Sequence, residues 1–115
     1  EVKLSTPTAK SVQVNGFGPP LPNSFALRQN YPNPFNPTTR IEFSLTGSAD
    51  HVSLDIYNVL GQHVKNLMDK TLPAGEYGVE WNATTDNGNK VATGVYLCRL
   101  QVGNRAETKK MLLLK

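Results

Sequence analysis

The sequence has almost no cysteine, few charged residues and no long hydrophobic run. Its 115 residues include one cysteine, Cys98, which excludes an intrachain disulfide and any metal site built from several cysteines. No uninterrupted apolar run exceeds four residues, as in residues 111–114, so no segment is long enough to span a membrane. Charged residues make up 18% of the chain, which argues against disorder driven by charge repulsion. We therefore expect one modest globular domain with a tail or linker.

Residue types that carry catalysis are scarce as well. His51 and His63 are the only histidines, and neither has a metal-ligand partner four residues away. Cys98 falls on the apolar side of a predicted strand and has no obvious neighbouring base. Residues 86–89 resemble a calcium loop, but the downstream glutamate is missing, so a tight turn is the better interpretation. The sequence predicts no catalytic residue, no metal ligand and no cofactor.

The net charge of +3 is concentrated near the end of the chain. Residues 99–115 carry five basic side chains and one acidic one. A nucleic-acid site of this kind would need an aromatic platform, which this segment lacks. Lysines that guard an exposed strand edge explain the charge better, so no nucleic-acid partner is predicted.

Proline divides the chain into two parts. Seven of the eight prolines lie in the first 37 residues, and only Pro73 follows. Because proline fixes φ and cannot donate to a β-ladder, this front part should be extended. Residues 16–24 have the composition of a linker, so residues 1–24 are predicted to be the end of a preceding region plus a Pro/Gly-rich linker. The domain itself is predicted at residues 25–115. The absence of an initiator Met and of a leader suggests a piece of a longer protein.

From Arg40 onward, apolar residues recur with a period of two. This alternation predicts strands over residues 40–45, 52–56, 63–70, 76–81, 96–102 and 105–114, with turns between them. Short, evenly spaced strands without a helical period indicate an all-β fold, an immunoglobulin-like antiparallel β-sandwich of about seven strands without a disulfide. The residues predicted to be mostly buried are Phe43, Leu54, Ile56, Tyr77, Val79, Trp81, Tyr96 and Leu100.

Three sequence blocks carry a family resemblance. They read LRQNYPNPFNPTTRIEF at residues 27–43, VSLDIYNVLGQ at residues 52–62, and GVYLCRL at residues 94–100, the last followed by KKMLLLK at residues 109–115. In this order and spacing they resemble the type A C-terminal sorting domain of type IX secretion cargo, a family related in fold to the immunoglobulin-like domain of flagellar hook-capping proteins. The resemblance covers residues 25–115. Cys98 departs from it, since the family more often has an aromatic residue there.

Two segments are candidates for recognition by a partner. In residues 31–37 prolines alternate with asparagines, which gives a rigid loop that binds at little entropic cost. Its alternative role is a rigid entry into the first long strand, with Tyr31 and Phe35 closing the end of the sandwich. Residues 109–115 form an apolar strand between lysines, accessible to a partner by edge pairing or by detachment, and alternatively an ordinary last strand. The candidate recognition residues are Tyr31, Asn33, Pro34, Asn36, Pro37, Lys109, Lys110, Leu112, Leu113, Leu114 and Lys115.

The resemblance implies a non-catalytic export address of a bacterial protein. Such a domain follows a larger cargo on the same chain and is recognised in the periplasm by the type IX secretion machinery. It directs passage through the outer-membrane translocon, and a sortase-like protease then removes it and leaves the cargo on the cell surface or outside the cell. The alternative is a passive immunoglobulin-like module that binds protein or carbohydrate or acts as a spacer.

Overall fold

The computed structural model describes residues 24–115, which form seven β-strands and no helix. The strands are β1 (Ser24–Leu27), β2 (Thr39–Thr46), β3 (Asp50–Asn58), β4 (His63–Leu72), β5 (Gly75–Trp81), β6 (Gly94–Val102) and β7 (Arg105–Leu113). Within these residues there is no helix of the length and apolarity needed to cross a membrane.

The seven strands form two antiparallel sheets. One sheet has the order β1-β2-β5 and the other the order β4-β3-β6-β7, with antiparallel pairing between all neighbours. The all-β, immunoglobulin-like sandwich predicted from the alternating pattern is therefore confirmed, as are the six strands predicted from residue 40 onward. Their predicted boundaries differ from the observed ones by a few residues at most.

The strand register places several connections at one end of the sandwich, which we call the loop end. Asn58 at the end of β3 pairs with Tyr96, and Gly94 at the start of β6 pairs with Leu113 at the end of β7. In the other sheet, the start of β2 pairs with the end of β5 through Thr39 and Trp81. The loop end therefore carries residues 31–37, the β3–β4 turn and the end of the chain, while residues 47–49 and 73–74 lie at the opposite end.

The core lies between the sheets and follows the predicted alternation. Six of the eight predicted core residues are buried: Phe43, Leu54, Ile56, Trp81, Tyr96 and Leu100. The other two, Tyr77 and Val79, are only half-buried and pack against the core. The Tyr77 ring is stacked on that of Phe43, with the ring centroids 5.4 Å apart. Trp81 is 1% exposed, and its ring centroid lies 5.4 Å from that of Tyr96 on the opposite sheet. Both rings face the core, as the predicted alternation of β5 and β6 requires.

One strand was not predicted. β1 has four residues, of which only Leu27 is buried, so its sequence carries too little alternation to be recognised. Ser24, assigned to the linker by the sequence, pairs with Thr46 as the first residue of β1. The remainder of the predicted linker and the region before it, residues 1–23, lie outside the described residues.

Candidate functional site

The proline loop, residues 31–37, is held against the start of β2 by two buried polar side chains. Asn30 donates from Nδ2 to the Thr39 hydroxyl at 2.9 Å and to the Pro32 carbonyl oxygen at 3.1 Å. The Thr39 hydroxyl in turn donates to the same Pro32 oxygen at 2.9 Å. Buried polar groups that satisfy one another in this way fix a single backbone conformation. The loop is therefore a preformed unit at the loop end.

The same loop contacts the last strand. The backbone N–H of Phe35 donates to the Leu112 carbonyl oxygen, and the N–H of Leu114 donates to the Phe35 carbonyl oxygen, each at 3.0 Å. The N–H of Leu112 donates to Asn33 Oδ1 at 3.0 Å. Phe35 thus forms a parallel bridge with Leu113. The two segments that the sequence offers as separate recognition candidates are one hydrogen-bonded unit, which we call the loop–strand junction.

The junction covers part of an otherwise open sheet edge. In an antiparallel pair the backbone groups of alternate residues point to the partner strand and to the free side. Leu112 bonds to the proline loop, so the even-numbered residues of β7 face the free side of the sheet. Gln29 extends the cover by donating from Nε2 to the Lys110 carbonyl oxygen at 2.7 Å. An edge covered in this way is protected against unspecific pairing with other chains.

The junction gives the candidate residues different accessibilities. Tyr31 is 80% exposed, so it does not close the end of the sandwich, whereas Phe35 is buried and contacts Trp81 with ring centroids 5.7 Å apart. Leu113 is fully buried and is out of reach of a partner while the domain is folded. Lys109 is half-buried on the inward side of β7, with Nζ 3.8 Å from a Glu107 carboxylate oxygen. Lys109 and Leu112 are half-buried, and the candidates that are exposed on the folded domain are Tyr31, Asn33, Pro34, Asn36, Pro37, Lys110, Leu114 and Lys115.

Sequence reasoning missed the residues that hold the junction in place. Thr39 continues the inward-facing series of Ile41 and Phe43, and a polar residue in that series is a readable signal for a buried hydrogen bond. Asn30 and Gln29 carry no comparable signal, because their partners lie across a loop or on a strand 81 residues away.

Cys98, the one cysteine of the sequence, is buried. Burial, reinforced by the negative charge of Asp55, raises the pKa of the Cys98 thiol to about 12. The thiol is therefore protonated at neutral pH and is not a nucleophile. Within residues 24–115, no group of three or more His, Cys, Asp or Glu side chains has a geometry that could hold a metal ion.

The loop that resembles a calcium loop is a turn. Its backbone closes on itself, since the Thr85 N–H donates to the Asn89 carbonyl oxygen at 2.8 Å and the Gly88 N–H to the Thr85 carbonyl oxygen at 2.9 Å. Asp86 is engaged with the protein, accepting at Oδ1 from the N–H of Asn66 at 2.9 Å.

The two antiparallel sheets of seven strands define an immunoglobulin-like sandwich. A family model described as "FlgD Ig-like domain" matches residues 30–105, which is more than half of the chain. The chain belongs to this family of immunoglobulin-like domains. The match ends at Arg105, the first residue of β7, so the rest of β7 lies outside the matched segment.

Three solved structures resemble the domain. Dimeric latent PorU from Porphyromonas gingivalis aligns with a TM-score of 0.66 at 21% identity, over 88% of this chain and 10% of PorU. FlgD from Xanthomonas campestris, whose structure is described as giving insights into the hook capping essential for flagellar assembly, aligns with a TM-score of 0.52 at 24% identity, over 78% of this chain and 65% of FlgD. PorZ from Porphyromonas gingivalis, described as an essential surface component of the type-IX secretion system, aligns with a TM-score of 0.48 at 23% identity, over 76% of this chain and 11% of PorZ.

The likenesses to PorU and FlgD show the fold alone. The identities are all below 25%, and the chain spans about a tenth of the length of PorU and PorZ. No curated protein matches the chain.

Proposed function

We propose that the domain is a non-catalytic sorting signal that directs a larger cargo protein through the type IX secretion system to the cell surface. The proposal starts from the three sequence blocks, which occur in the order and spacing of type A sorting domains. The FlgD Ig-like domain match is consistent with it, since that sorting family has a related fold.

The observation that carries the proposal is the loop–strand junction. Asn33 and Leu112 stand 79 positions apart in sequence and are joined by a direct hydrogen bond. The NYPNPFNP and KKMLLLK blocks, which have no reason to co-occur in a generic sandwich, therefore form one surface at the loop end. A receptor that binds this end meets both blocks at once and reads a signal that a single short motif cannot supply.

The proposal gives the domain a route and a set of partners. The cargo lies on the same chain, the type IX machinery recognises the folded domain in the periplasm, and the translocon passes it through the outer membrane. A sortase-like protease then separates domain and cargo at the surface. The domain contributes no catalytic group to this sequence of events, in keeping with the protonated, buried thiol of Cys98.

The alternative function is that of a passive binding or spacer module. Carbohydrate-binding modules usually present an exposed aromatic platform. Here Trp81 and Tyr96 are buried in the core, and Tyr77 is half-buried against it. The exposed aromatic residue among the described ones is Tyr31, and Tyr57 is half-buried on the outer sheet face. The export assay below distinguishes a passive binding or spacer module from the sorting role.

The test is an export assay with a reporter. A periplasm-directed fluorescent protein carrying residues 24–115 at its C-terminus is expressed in a bacterium with a type IX system and in a matched strain lacking the translocon. The proposal predicts reporter outside the outer membrane in the first strain and only periplasmic reporter in the second. An equal distribution in the two strains contradicts it and leaves the passive module.

A further inference from the structure

The exposed apolar side chains of the domain are gathered at one end. Among the described residues, the large hydrophobic side chains that are exposed are Tyr31 at 80%, Leu60 at 78%, Val59 at 66% and Leu114 at 46%. Tyr31 lies in the proline loop, Val59 and Leu60 form the tip of the β3–β4 turn, and Leu114 follows β7. All four positions belong to the loop end. Scattered single apolar residues are ordinary on a protein surface, whereas a cluster at one end marks a contact site.

The cluster continues onto the outer face of the four-stranded sheet. Side chains alternate along a strand, and the inward positions of β3, β6 and β7 near this end are Ile56, Tyr96 and Met111. The next residue along each strand faces outward. These residues are Tyr57, Leu97 and Leu112, and all three are half-buried. Tyr57 pairs with Leu97 across β3 and β6. Together with the turn and the end of the chain, they form the docking face: Tyr57, Val59, Leu60, Leu97, Leu112 and Leu114.

The apolar side chains of the turn are not needed to form the turn. Its conformation is set by Asn58, whose Oδ1 accepts from the N–H of Leu60 at 2.9 Å and of Gln62 at 3.0 Å. Gly61 supplies the positive φ of 81° that an ordinary side chain rarely adopts. Polar residues would serve equally well at positions 59 and 60. The exposed side chains of Val59 and Leu60 lower the solubility of the domain and are not needed for the turn. Their presence therefore points to a contact with another molecule.

The charge around the docking face is positive. Arg99 lies on the same outer sheet face, and Lys110 stands directly opposite Leu97. Lys115 lies at the loop end, where its N–H donates to the Thr93 hydroxyl at 3.2 Å. Two acidic side chains lie nearby, and both have partners. The Asp55 carboxylate is engaged by the His63 ring at 2.8 Å and by the Asn66 amide at 2.9 Å, and Asp86 contacts the other nitrogen of the His63 ring at 3.6 Å and accepts from the Asn66 N–H at 2.9 Å. The complementary partner therefore has an apolar depression bordered by carboxylates.

We propose that a protein component of the export machinery binds the docking face, with Leu60 and Val59 inserted into an apolar depression and its carboxylates facing Lys110 and Lys115. This inference rests on the proposed function and adds the contact surface and the chemistry of the partner. It differs from recognition of the terminal strand alone, because the β3–β4 turn lies more than 40 residues before β7 in sequence.

The test uses the reporter in the host that contains the type IX machinery. The variant Val59→Ser, Leu60→Ser keeps Asn58 and Gly61, so its thermal melting should match that of the wild type. Export should fall by at least about tenfold, since a few apolar anchors supply most of the affinity of a protein interface. The control is Ala49→Ser, Ala74→Ser at the opposite end of the sandwich, which should be exported like the wild type.

A photocrosslinking residue identifies the contact directly. Leu60→p-benzoylphenylalanine should give a covalent adduct with a machinery component in the intact host, and Ala74→p-benzoylphenylalanine should give none. Failure of the wild-type reporter to leave the cell through the machinery refutes the proposed function and this inference with it. Normal export of the folded Val59→Ser, Leu60→Ser variant refutes this inference alone, as does lost export without an adduct at position 60.

Two further outcomes would overturn the inference by assigning the face to another occupant. One is a dimer of the purified domain in sedimentation velocity that the Val59→Ser, Leu60→Ser variant does not form. The other is binding to vesicles of phosphatidylethanolamine and phosphatidylglycerol in a flotation assay that the same variant loses. The inference predicts a monomer and no vesicle binding.

Discussion

The side-chain oxygen of Asn33 accepts the backbone N–H of Leu112 at 3.0 Å, across 79 positions of sequence. The bond joins the proline loop to the last strand on the side where, among residues 24–115, β7 has no neighbouring strand. The loop and the end of the chain are thereby parts of one surface. A substitution in one segment is therefore expected to affect the other.

Loss of the Asn33 side chain should loosen the end of β7. Asn33→Ala removes the acceptor for the Leu112 N–H, and the cost is about 1 kcal/mol or less because the bond is exposed. Amide hydrogen exchange at Leu112 should accelerate. Asn33→Asp, which keeps an oxygen acceptor, and Asn36→Ala should leave the exchange rate near that of the wild type. Equal protection of Leu112 in Asn33→Ala and the wild type would show that the bond does not hold the strand.

Truncation of Trp81 should destabilise the whole domain. Its ring is 1% exposed and packs against Phe35 and Tyr96, so Trp81→Ala leaves a cavity at the loop end. The expected loss is about 3–5 kcal/mol in the free energy of unfolding, measured by urea denaturation. Tyr31→Ala, at a position that is 80% exposed, is the control and should change stability by about 0.5 kcal/mol or less. A small loss for Trp81→Ala would contradict the packing described for this end.

The buried thiol of Cys98 predicts a loss of stability at high pH. Burial raises its pKa from 9.0 to about 12 in the folded domain, so above pH 9 the unfolded chain releases a proton that the folded domain keeps. The contribution of this group is fully present below pH 9 and declines as the pH rises toward 12, by about 1.4 kcal/mol per pH unit.

The thiol's contribution is isolated by comparison with Cys98→Ala. The difference in unfolding free energy between the wild type and this variant should stay constant up to pH 9 and then shift against the wild type. Tyrosine and lysine titrations affect both proteins and cancel in the difference. A difference that is independent of pH between 8 and 11 would mean that the thiol ionises in the folded domain.

The lysines of the last strand should contribute unequally to export. Lys110 and Lys115 are exposed, whereas Lys109 is half-buried near Glu107 on the inward side. Lys110→Gln combined with Lys115→Gln should lower reporter export with a change in stability of about 0.5 kcal/mol or less. Lys109→Gln is the matched control and should be exported normally. If the double variant is exported normally while Asn33→Ala is not, the signal resides in the proline loop rather than in the lysines.

The strands and most of the core could be read from the sequence because a half-buried strand repeats every two residues. Ile41, Phe43 and Leu45 in β2 are an unbroken example, and all three are buried. β1 was not predicted because four residues with one buried side chain show no periodic pattern.

Tyr77 and Val79 have the right alternation but remain half-exposed, because β5 is an outer strand of the three-stranded sheet. The sequence pattern of a strand predicts which side chains face the core, but it does not predict how much of each side chain the neighbouring strands bury.

The loop–strand junction could not be predicted from the sequence for a different reason. Residues 31–37 and 109–115 could each be singled out by composition, but the hydrogen bond from Leu112 to Asn33 depends on the path of five intervening strands. Nothing in either segment specifies its distant partner. One feature of residues 111–114 could have been used. Neighbouring residues of a strand face opposite sides, so only two of these four side chains, those of Leu112 and Leu114, remain accessible.

The most direct test of the central claim, that the folded domain and not a short terminal peptide is the export address, is the exported fraction of three reporters. They carry residues 24–115, residues 24–115 with Trp81→Ala, and residues 105–115 alone, all in the host with the type IX machinery. The account predicts efficient export of the first, weak export of the destabilised second and none of the third, since the peptide lacks the proline loop and the β3–β4 turn. Export of the peptide at the level of the intact domain would contradict it.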